Sequence, residues 1–144
     1  MLAIEKAQRN VAKLIVIDPR RTPSSEHADI LIQPIPGTDA ILALAIAKII
    51  IQNKNYDKGF VNNHVLGFKR FTKSLSNISI EEASKECGVP FHFIEELAEL
   101  MGTIKPMILI AGYGMQRYTN GGQPTRCLLA FSVITGNIGI PMFN

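Results

Sequence analysis

The sequence has few of the residues that hold metal ions. Its two cysteines, Cys87 and Cys127, lie far apart with no Cys-x-x-Cys spacing, and its three histidines share no metal-ligand spacing. A bound metal needs several ligands that converge on it. We therefore expect no metal site in the chain, and we expect both cysteines to be reduced structural thiols.

Long hydrophobic runs are also missing. The most apolar stretch, residues 40–51, follows Asp39, contains Lys48 and is too short to span a bilayer. The opening residues lack the apolar core and small-residue cleavage site of a signal peptide. These absences predict a cytoplasmic protein without a membrane span.

Strong charge and obvious catalytic motifs are absent as well. The net charge is only +3, and no basic stripe is interleaved with aromatic residues, so we expect no nucleic-acid partner. The sequence shows no serine-nucleophile motif and no carboxylate pair suited to acid–base chemistry. We therefore assign no catalytic residue and expect the isolated chain to be inactive.

What is present is the pattern of a single α/β domain. With 144 residues, 47% of them hydrophobic, the chain can bury one core. Helical and strand-like periodicities alternate along it. The predicted helices cover 2–11, 40–52, 60–65, 68–75, 80–87, 90–101 and 124–134, and the predicted strands cover 14–17, 30–32 and 107–111. Because the first helix has no strand before it, we expect part of a larger domain.

The first candidate site follows the run Leu14–Ile17, which predicts a strand buried on both faces, as in a parallel sheet. Asp18 comes next, where open α/β sheets bind their ligands. Its carboxylate can accept two hydrogen bonds from a guanine or bind ribose hydroxyls. Arg20 and Arg21 can bind phosphate or stack on a base. The alternative is an ordinary Asp-Pro turn with solvated arginines.

The second candidate site is the block Pro36-Gly37-Thr38-Asp39, which precedes the helix predicted over 40–52. Gly37 permits close approach of the backbone to a ligand, and Asp39 can face that ligand. The alternative is purely structural, because Thr38 or Asp39 can cap the helix and an acidic residue suits its dipole.

The third candidate site is the glycine-rich loop 112–122, which lies between a predicted strand and a helix. That context suits a diphosphate. However, Gly112 and Gly114 are followed by Met115, Gln116 and Arg117, so the third glycine of a dinucleotide fingerprint is missing. This counts against an ordinary nicotinamide site. The alternative is a flexible loop.

These blocks, in this order, resemble the molybdopterin oxidoreductases of the dimethyl-sulfoxide-reductase superfamily, and above all formate dehydrogenase alpha subunits. The matching text is at 14–22, 28–29, 36–40, 42–44, 57, 60–61, 112–115, 119–121 and 129–141, of which 135–139 is especially typical. The resemblance implies that residues 1–144 are one partial, Rossmann-like three-layer domain with a mostly parallel sheet, a helical middle segment and a site for molybdopterin guanine dinucleotide. It implies these cofactor-binding residues: Asp18, Pro19, Arg20, Gly37, Thr38, Asp39, Gly112, Gly114, Met115 and Gln116.

The departures from the family limit what the chain does by itself. The family's cysteine cluster for iron–sulfur and its segment with the cysteine, selenocysteine or serine metal ligand are not in this sequence. The resemblance thus implies a guanosine pocket for a molybdenum or tungsten enzyme, with no iron–sulfur cluster in this chain. The implied partners are the remaining domains or subunits, or a second copy bound through uncovered apolar surface. Two alternatives stay open, namely a stand-alone nucleotide-binding module and a decayed paralogue that acts as an interaction subunit.

Overall fold

A computed structural model describes residues 2–117, 119 and 121–140 of the chain. Helices dominate this part of the molecule. They are α1 (Leu2–Arg9), α2 (Asp39–Gln52), α3 (Lys58–His64), α4 (Phe68–Leu75), α5 (Ile80–Cys87), α6 (Phe91–Thr103) and α7 (Gly122–Ile134), with short 3-10 turns at Ser25–His27 and Tyr113–Gln116.

Two short strands, β1 (Ile15–Ile17) and β2 (Ile30–Ile32), form a parallel pair in which Ile15 is opposite Ile30 and Ile17 is opposite Ile32. The ladder continues beyond β1, because the Asp18 N–H donates to the Ile32 carbonyl at 3.0 Å. The expected α/β fold with parallel strands and a helical middle segment is confirmed. Both strands end at the same edge of the sheet.

Helix α2 is the centre of the hydrophobic core. It packs against α4, α5, α6 and α7. Its residues are apolar on nearly every side, and Ile46 and Ile50 are fully buried. Burial of each such side chain stabilises the fold by about 2 kcal/mol. The prediction of a deeply buried helix here is confirmed. No helix in the described part of the chain has both the length and the apolarity needed to cross a membrane.

The strand predicted at 107–111 is wrong for the described residues, because no neighbouring strand bonds to it. The burial pattern is nevertheless that of a strand. Met107 and Leu109 are half-buried against the core, whereas Ile108 and Ile110 are exposed. Strand character depends on a partner as well as on sequence, and none of the described residues forms a ladder with this segment.

Helix bounds in the middle of the chain follow local capping. The Ser79 hydroxyl accepts from the Glu82 N–H at 3.2 Å, which begins α5 as predicted, and Gly88 ends it with φ 69°. The first helix ends earlier than predicted, at Arg9 rather than Val11, because Val11 has φ 71° and cannot continue it.

Candidate functional site

The carboxylate of Asp18 forms a tight turn at the end of β1. Its Oδ1 accepts from the Arg20 N–H at 2.8 Å, and Gln33 donates to the Pro19 carbonyl at 3.1 Å. One oxygen of the Asp18 carboxylate is therefore used in an ordinary Asp-Pro turn, as the structural alternative predicts. The other oxygen, Oδ2, accepts no hydrogen bond from the residues that the structure describes. Asp18 is half-buried, so this oxygen can still meet a ligand.

Two arginines follow this turn. The side chains of Arg20 and Arg21 are exposed, and neither pairs with a carboxylate of the described chain, where Lys105–Asp57 is the ion pair formed. A guanidinium presents a planar set of donors that matches phosphate or stacks on a base. This edge of the sheet therefore carries positive charge beside a half-buried carboxylate.

The segment after β2 makes a second turn. The Ile35 carbonyl accepts from the Thr38 N–H at 3.2 Å, and Gly37 has φ 86°. Proline followed by a glycine with positive φ is the pattern of a type II turn. The glycine is thus required by the backbone here, whether or not a ligand approaches.

The prediction that Thr38 or Asp39 caps α2 with its side chain is wrong, because neither side chain makes a capping hydrogen bond to a described residue. The Thr38 hydroxyl donates to the Ile35 carbonyl at 2.6 Å and makes no capping bond. The hydroxyl bonds within the turn because the Ile35 carbonyl lies within hydrogen-bond distance of it. Asp39 is the first residue of α2 and is half-buried, and its carboxylate bonds to no described donor. A carboxylate at this position is stabilised by the helix dipole.

The second turn is attached to the helical layer behind it. The Ile35 N–H donates to the Cys87 carbonyl at 2.8 Å. The Ile35 side chain lies against Gly88, where an added Cβ would be 3.1 Å from Cγ1. Both turns leave the carboxyl ends of adjacent parallel strands. The fold therefore brings six predicted residues to one sheet edge: Asp18, Pro19, Arg20, Gly37, Thr38 and Asp39.

The four remaining predicted residues lie on a different turn. Gly112, Gly114, Met115 and Gln116 belong to or precede the 3-10 turn that packs against α7. The Met115 N–H donates to the Gly112 carbonyl at 3.3 Å. An added Cβ on either glycine would meet no atom within 4 Å. Residues 118 and 120 of the loop lie outside the described residues.

Sequence reasoning missed a polar cluster after α7. The Asn137 side chain accepts from the Met107 N–H at 2.9 Å and donates to the Thr135 hydroxyl at 2.8 Å. That hydroxyl, fully buried, donates to the Phe131 carbonyl at 2.6 Å. The sequence signal was the Thr-Gly-Asn text at 135–137. Asn137 thereby fixes the start of the segment that leads to the Gly112 turn.

Asp57 holds the same region from the other side. Its carboxylate caps α3 by accepting from the Phe60 N–H at 2.8 Å, and Lys105 Nζ lies 2.7 Å from Oδ2. Lys105 and the Phe60 N–H hold the pKa of Asp57 below its ordinary value. Gly136, with φ 69°, leaves room for this carboxylate, because an added Cβ would lie 2.7 Å from Oδ2.

Two further features are structural. Asp29 Oδ2 accepts from the Leu14 N–H at 2.7 Å and from Gln8 at 2.9 Å, and these bonds lower its pKa. Both cysteines are free, and burial raises the pKa of the Cys87 and Cys127 thiols. Neither thiol has the lowered pKa of a catalytic nucleophile.

The parallel strand pair, the two turns that follow it and the Thr-Gly-Asn cluster belong to an α/β domain. The molybdopterin oxidoreductase family model matches residues 1–144, and the chain belongs to that family. The F420-dependent formate dehydrogenase subunit alpha of Methanocaldococcus jannaschii is 38% identical over 136 residues, which cover 94% of this chain and 20% of that protein. Formate dehydrogenase H of Escherichia coli is 31% identical over 135 residues, 94% of this chain and 19% of that protein.

A solved structure shares the fold. Acetylene hydratase from Pelobacter acetylenicus superposes with a TM-score of 0.90 at 29% identity, over 94% of this chain and 19% of that one. The chain thus spans about a fifth of the length of the relatives it matches.

Proposed function

We propose that residues 1–144 are one partial cofactor domain of a molybdenum or tungsten bis-molybdopterin-guanine-dinucleotide oxidoreductase, formate dehydrogenase-like, and that the chain contributes the guanosine pocket without being catalytic alone. The observation that carries the proposal is the shared sheet edge of the Asp18 turn and the 36–39 turn. When bound, the cofactor supplies two-electron redox chemistry at its metal. The chain's own residues bind and orient its nucleotide end.

The donor and acceptor groups at this edge fit a guanosine and its phosphates. Asp18 Oδ2 and the Asp39 carboxylate bond to no described donor, so each can accept from a guanine or a ribose. Arg20 is exposed and unpaired within the described chain and can take phosphate oxygens. The Ile35–Cys87 hydrogen bond ties the second turn to the end of α5.

Base selectivity tests the role of Asp18. A carboxylate that reads guanine bonds to N1–H and the exocyclic amine, so the expected order of affinity is GMP, then IMP, then AMP. A carboxylate that holds ribose gives three equal affinities. Titration calorimetry of the 144-residue chain with the three nucleotides separates these cases, and absence of heat with all of them rejects the pocket.

A variant at Asp18 must preserve the turn, because the same carboxylate accepts a hydrogen bond from the Arg20 N–H. Asp18→Asn keeps an oxygen for the Arg20 N–H but replaces one carboxylate acceptor with an amide donor. We expect it to weaken GMP binding at least tenfold, which corresponds to loss of a charged hydrogen bond of about 1.5–3 kcal/mol, with unchanged stability. Asp39→Asn should act in the same direction. If both variants bind GMP like the wild type, neither residue belongs to the pocket.

The stand-alone nucleotide-binding module is the competing function. It predicts GMP or GDP binding by the isolated chain with an affinity useful in a cell. The decayed paralogue predicts no nucleotide binding and retention of a protein partner. Native mass spectrometry of the protein as purified from its source decides among the three, because a bound pterin supports only the oxidoreductase.

A further inference from the structure

An apolar groove lies between α4 and α7. Both helices pack against α2, and the turn 65–67 that precedes α4 also lines the groove, whose volume is about 330 Å³. Its apolar lining includes Leu66, Phe68, Phe71, Leu129, Ala130 and Val133. In the described part of the chain, none of the ten predicted cofactor residues lines this groove. An inference about it therefore does not depend on the guanosine pocket.

The wall that α7 contributes is a stripe along one face of the helix. Leu129 and Val133 follow Arg126 at intervals of three and four residues, the spacing at which helical side chains share a face. Leu129 is 56% exposed, and Leu66 is 100% exposed. A single exposed leucine is ordinary, but these two line one concave apolar surface together. Such a surface marks an interaction site.

The two helices that form the groove carry positive charge only. Arg126 lines the groove and is exposed. Helix α4 carries Lys69, Arg70 and Lys73, all exposed, and neither α4 nor α7 contains an acidic residue. None of these four cations forms an ion pair with a described residue. The groove therefore suits a partner that brings carboxylates.

A helix is the occupant that fits this shape. Because α4 and α7 lie on a shared support, a third helix can pack against both. Amphipathic helices bind apolar grooves through side chains at positions i, i+3, i+4 and i+7. A second copy docked groove to groove would bring like charges together, which opposes that dimer. A membrane surface would reach the exposed Leu66 but not the half-buried Phe68 and Phe71.

We propose that the α4–α7 groove binds an acidic amphipathic helix of a partner protein. The apolar side chains of that helix enter the groove beside Leu66 and Leu129, and its carboxylates face Arg126 and the cations of α4. Leu66, Arg126 and the whole of α4 lie outside the sequence blocks that carry the family resemblance. We therefore assign the groove to a partner of this protein rather than to packing that the whole family shares.

Two synthetic helices of about 18 residues test the shape and charge of the occupant. Both have leucine at every third or fourth position, and one carries glutamate at the flanking positions where the other carries lysine. Fluorescence anisotropy with the 144-residue chain should show that the glutamate helix binds at least about tenfold more tightly, with a difference that shrinks in high salt. Equal binding of the two helices, or binding of neither, overturns the proposal.

Substitutions in the groove locate the binding. Leu129→Ser should weaken binding of the glutamate helix at least about tenfold, whereas Ile110→Ser, at an exposed isoleucine outside the groove, should leave it unchanged. Arg126→Glu should weaken the glutamate helix and strengthen the lysine helix, and Arg9→Gln, at an exposed position on α1, should do neither. Circular dichroism checks that each variant is folded. Wild-type binding by folded Leu129→Ser or Arg126→Glu chains overturns the proposal.

Three other occupants give distinct results, and each overturns the proposal. Self-association that Leu129→Ser abolishes, measured by sedimentation equilibrium, assigns the groove to a second copy. Binding to phosphatidylserine vesicles that Leu66→Ser abolishes, without binding of the glutamate helix, assigns it to a membrane surface. Loss of peptide binding in the protein isolated from its source and washed in high salt assigns it to further polypeptide of the same protein.

GMP titration separates this inference from the proposed function. The Leu129→Ser chain should bind GMP like the wild type, because Leu129 is not among the predicted cofactor residues. Peptide binding without GMP binding rejects the guanosine pocket alone, and GMP binding without peptide binding rejects the groove alone.

Discussion

The Asn137 side chain and the Met107 backbone are joined by a 2.9 Å hydrogen bond across 30 residues of sequence. Because Asn137 also donates to the buried Thr135 hydroxyl, its loss leaves two polar groups short of a partner. We expect Asn137→Ala to lower the free energy of unfolding by about 1–3 kcal/mol, measured by urea denaturation. Asn63→Ala, at an exposed position on α3, should change it by about 0.5 kcal/mol or less. Equal effects of the two variants would show that the bond is not formed.

Gly136 and Gly112 provide a matched pair of glycines. Gly136→Ala combines a positive φ with a Cβ 2.7 Å from Asp57 Oδ2, so we expect a loss of stability of at least about 1 kcal/mol. Gly112→Ala has φ −75° and open space, and should leave the urea midpoint unchanged. Gly112→Ala also tests whether the backbone at residue 112 contacts a nucleotide. Only such a contact would make this variant weaken GMP binding by the 144-residue chain. A destabilised Gly112→Ala chain would contradict the geometry of this turn.

Asp57 makes stability depend on pH. Its pKa is lowered on folding, chiefly by Lys105 and the Phe60 N–H, so its contribution is complete above the unfolded value of 3.8. It is lost as the pH falls through the lower folded pKa. Asp29, whose pKa is lowered by the Leu14 N–H and Gln8, acts in the same direction. Urea midpoints should therefore be flat from pH 7 to about 5 and fall below about pH 4, where these carboxyls become protonated.

Substitutions separate the two roles of Asp57. Asp57→Ala loses the cap of α3, which costs about 1 kcal/mol at neutral pH. Lys105→Met removes only a solvent-exposed ion pair and should cost less than about 1 kcal/mol. Both variants should show a shallower fall of the urea midpoint at low pH than the wild type. A Lys105→Met chain with the wild-type acid profile would mean that Lys105 does not lower the pKa of Asp57.

Substitutions at Thr38 test the role of its hydroxyl in the turn before α2. Its hydroxyl donates to the Ile35 carbonyl instead of capping the helix. Thr38→Val removes that bond and should cost about 1 kcal/mol, measured by thermal or urea unfolding, whereas Thr38→Ser keeps it and should stay near the wild type. A valine variant as stable as the serine variant would show that the hydroxyl has no role in the turn.

The parts predicted correctly from sequence depend on local pattern. Helix α2 and the β1–β2 pair follow from apolar runs, and the start of α5 follows from Ser79 with a glycine at the other end. The side-chain cap predicted at Thr38 or Asp39 does not form, and the Thr38 hydroxyl donates to the Ile35 carbonyl instead. Local signals cannot decide between two partners at similar reach.

The remaining misses have non-local causes. The strand predicted at 107–111 is wrong for the described residues because none of them forms a ladder with it, and pairing depends on distant residues that the local pattern does not reveal. The Asn137–Met107 bond joins distant parts of the sequence, as does Lys105–Asp57. Of the ten predicted cofactor residues, the sheet topology unites the six around Asp18 and Asp39, and their contact with a cofactor stays a prediction.

The different burial of Cys87 and Cys127 allows local opening of the structure to be measured by thiol modification. The Cys87 sulfur is sealed at 0% exposure, and the carbonyl of the same residue secures Ile35 behind the 36–39 turn, whereas Cys127 is only half-buried. A thiol reagent should modify Cys127 first. It should modify Cys87 only when the contact between α5 and the 36–39 turn opens. The delay between the two alkylations therefore times this local opening, and a ligand bound at the turn should lengthen it.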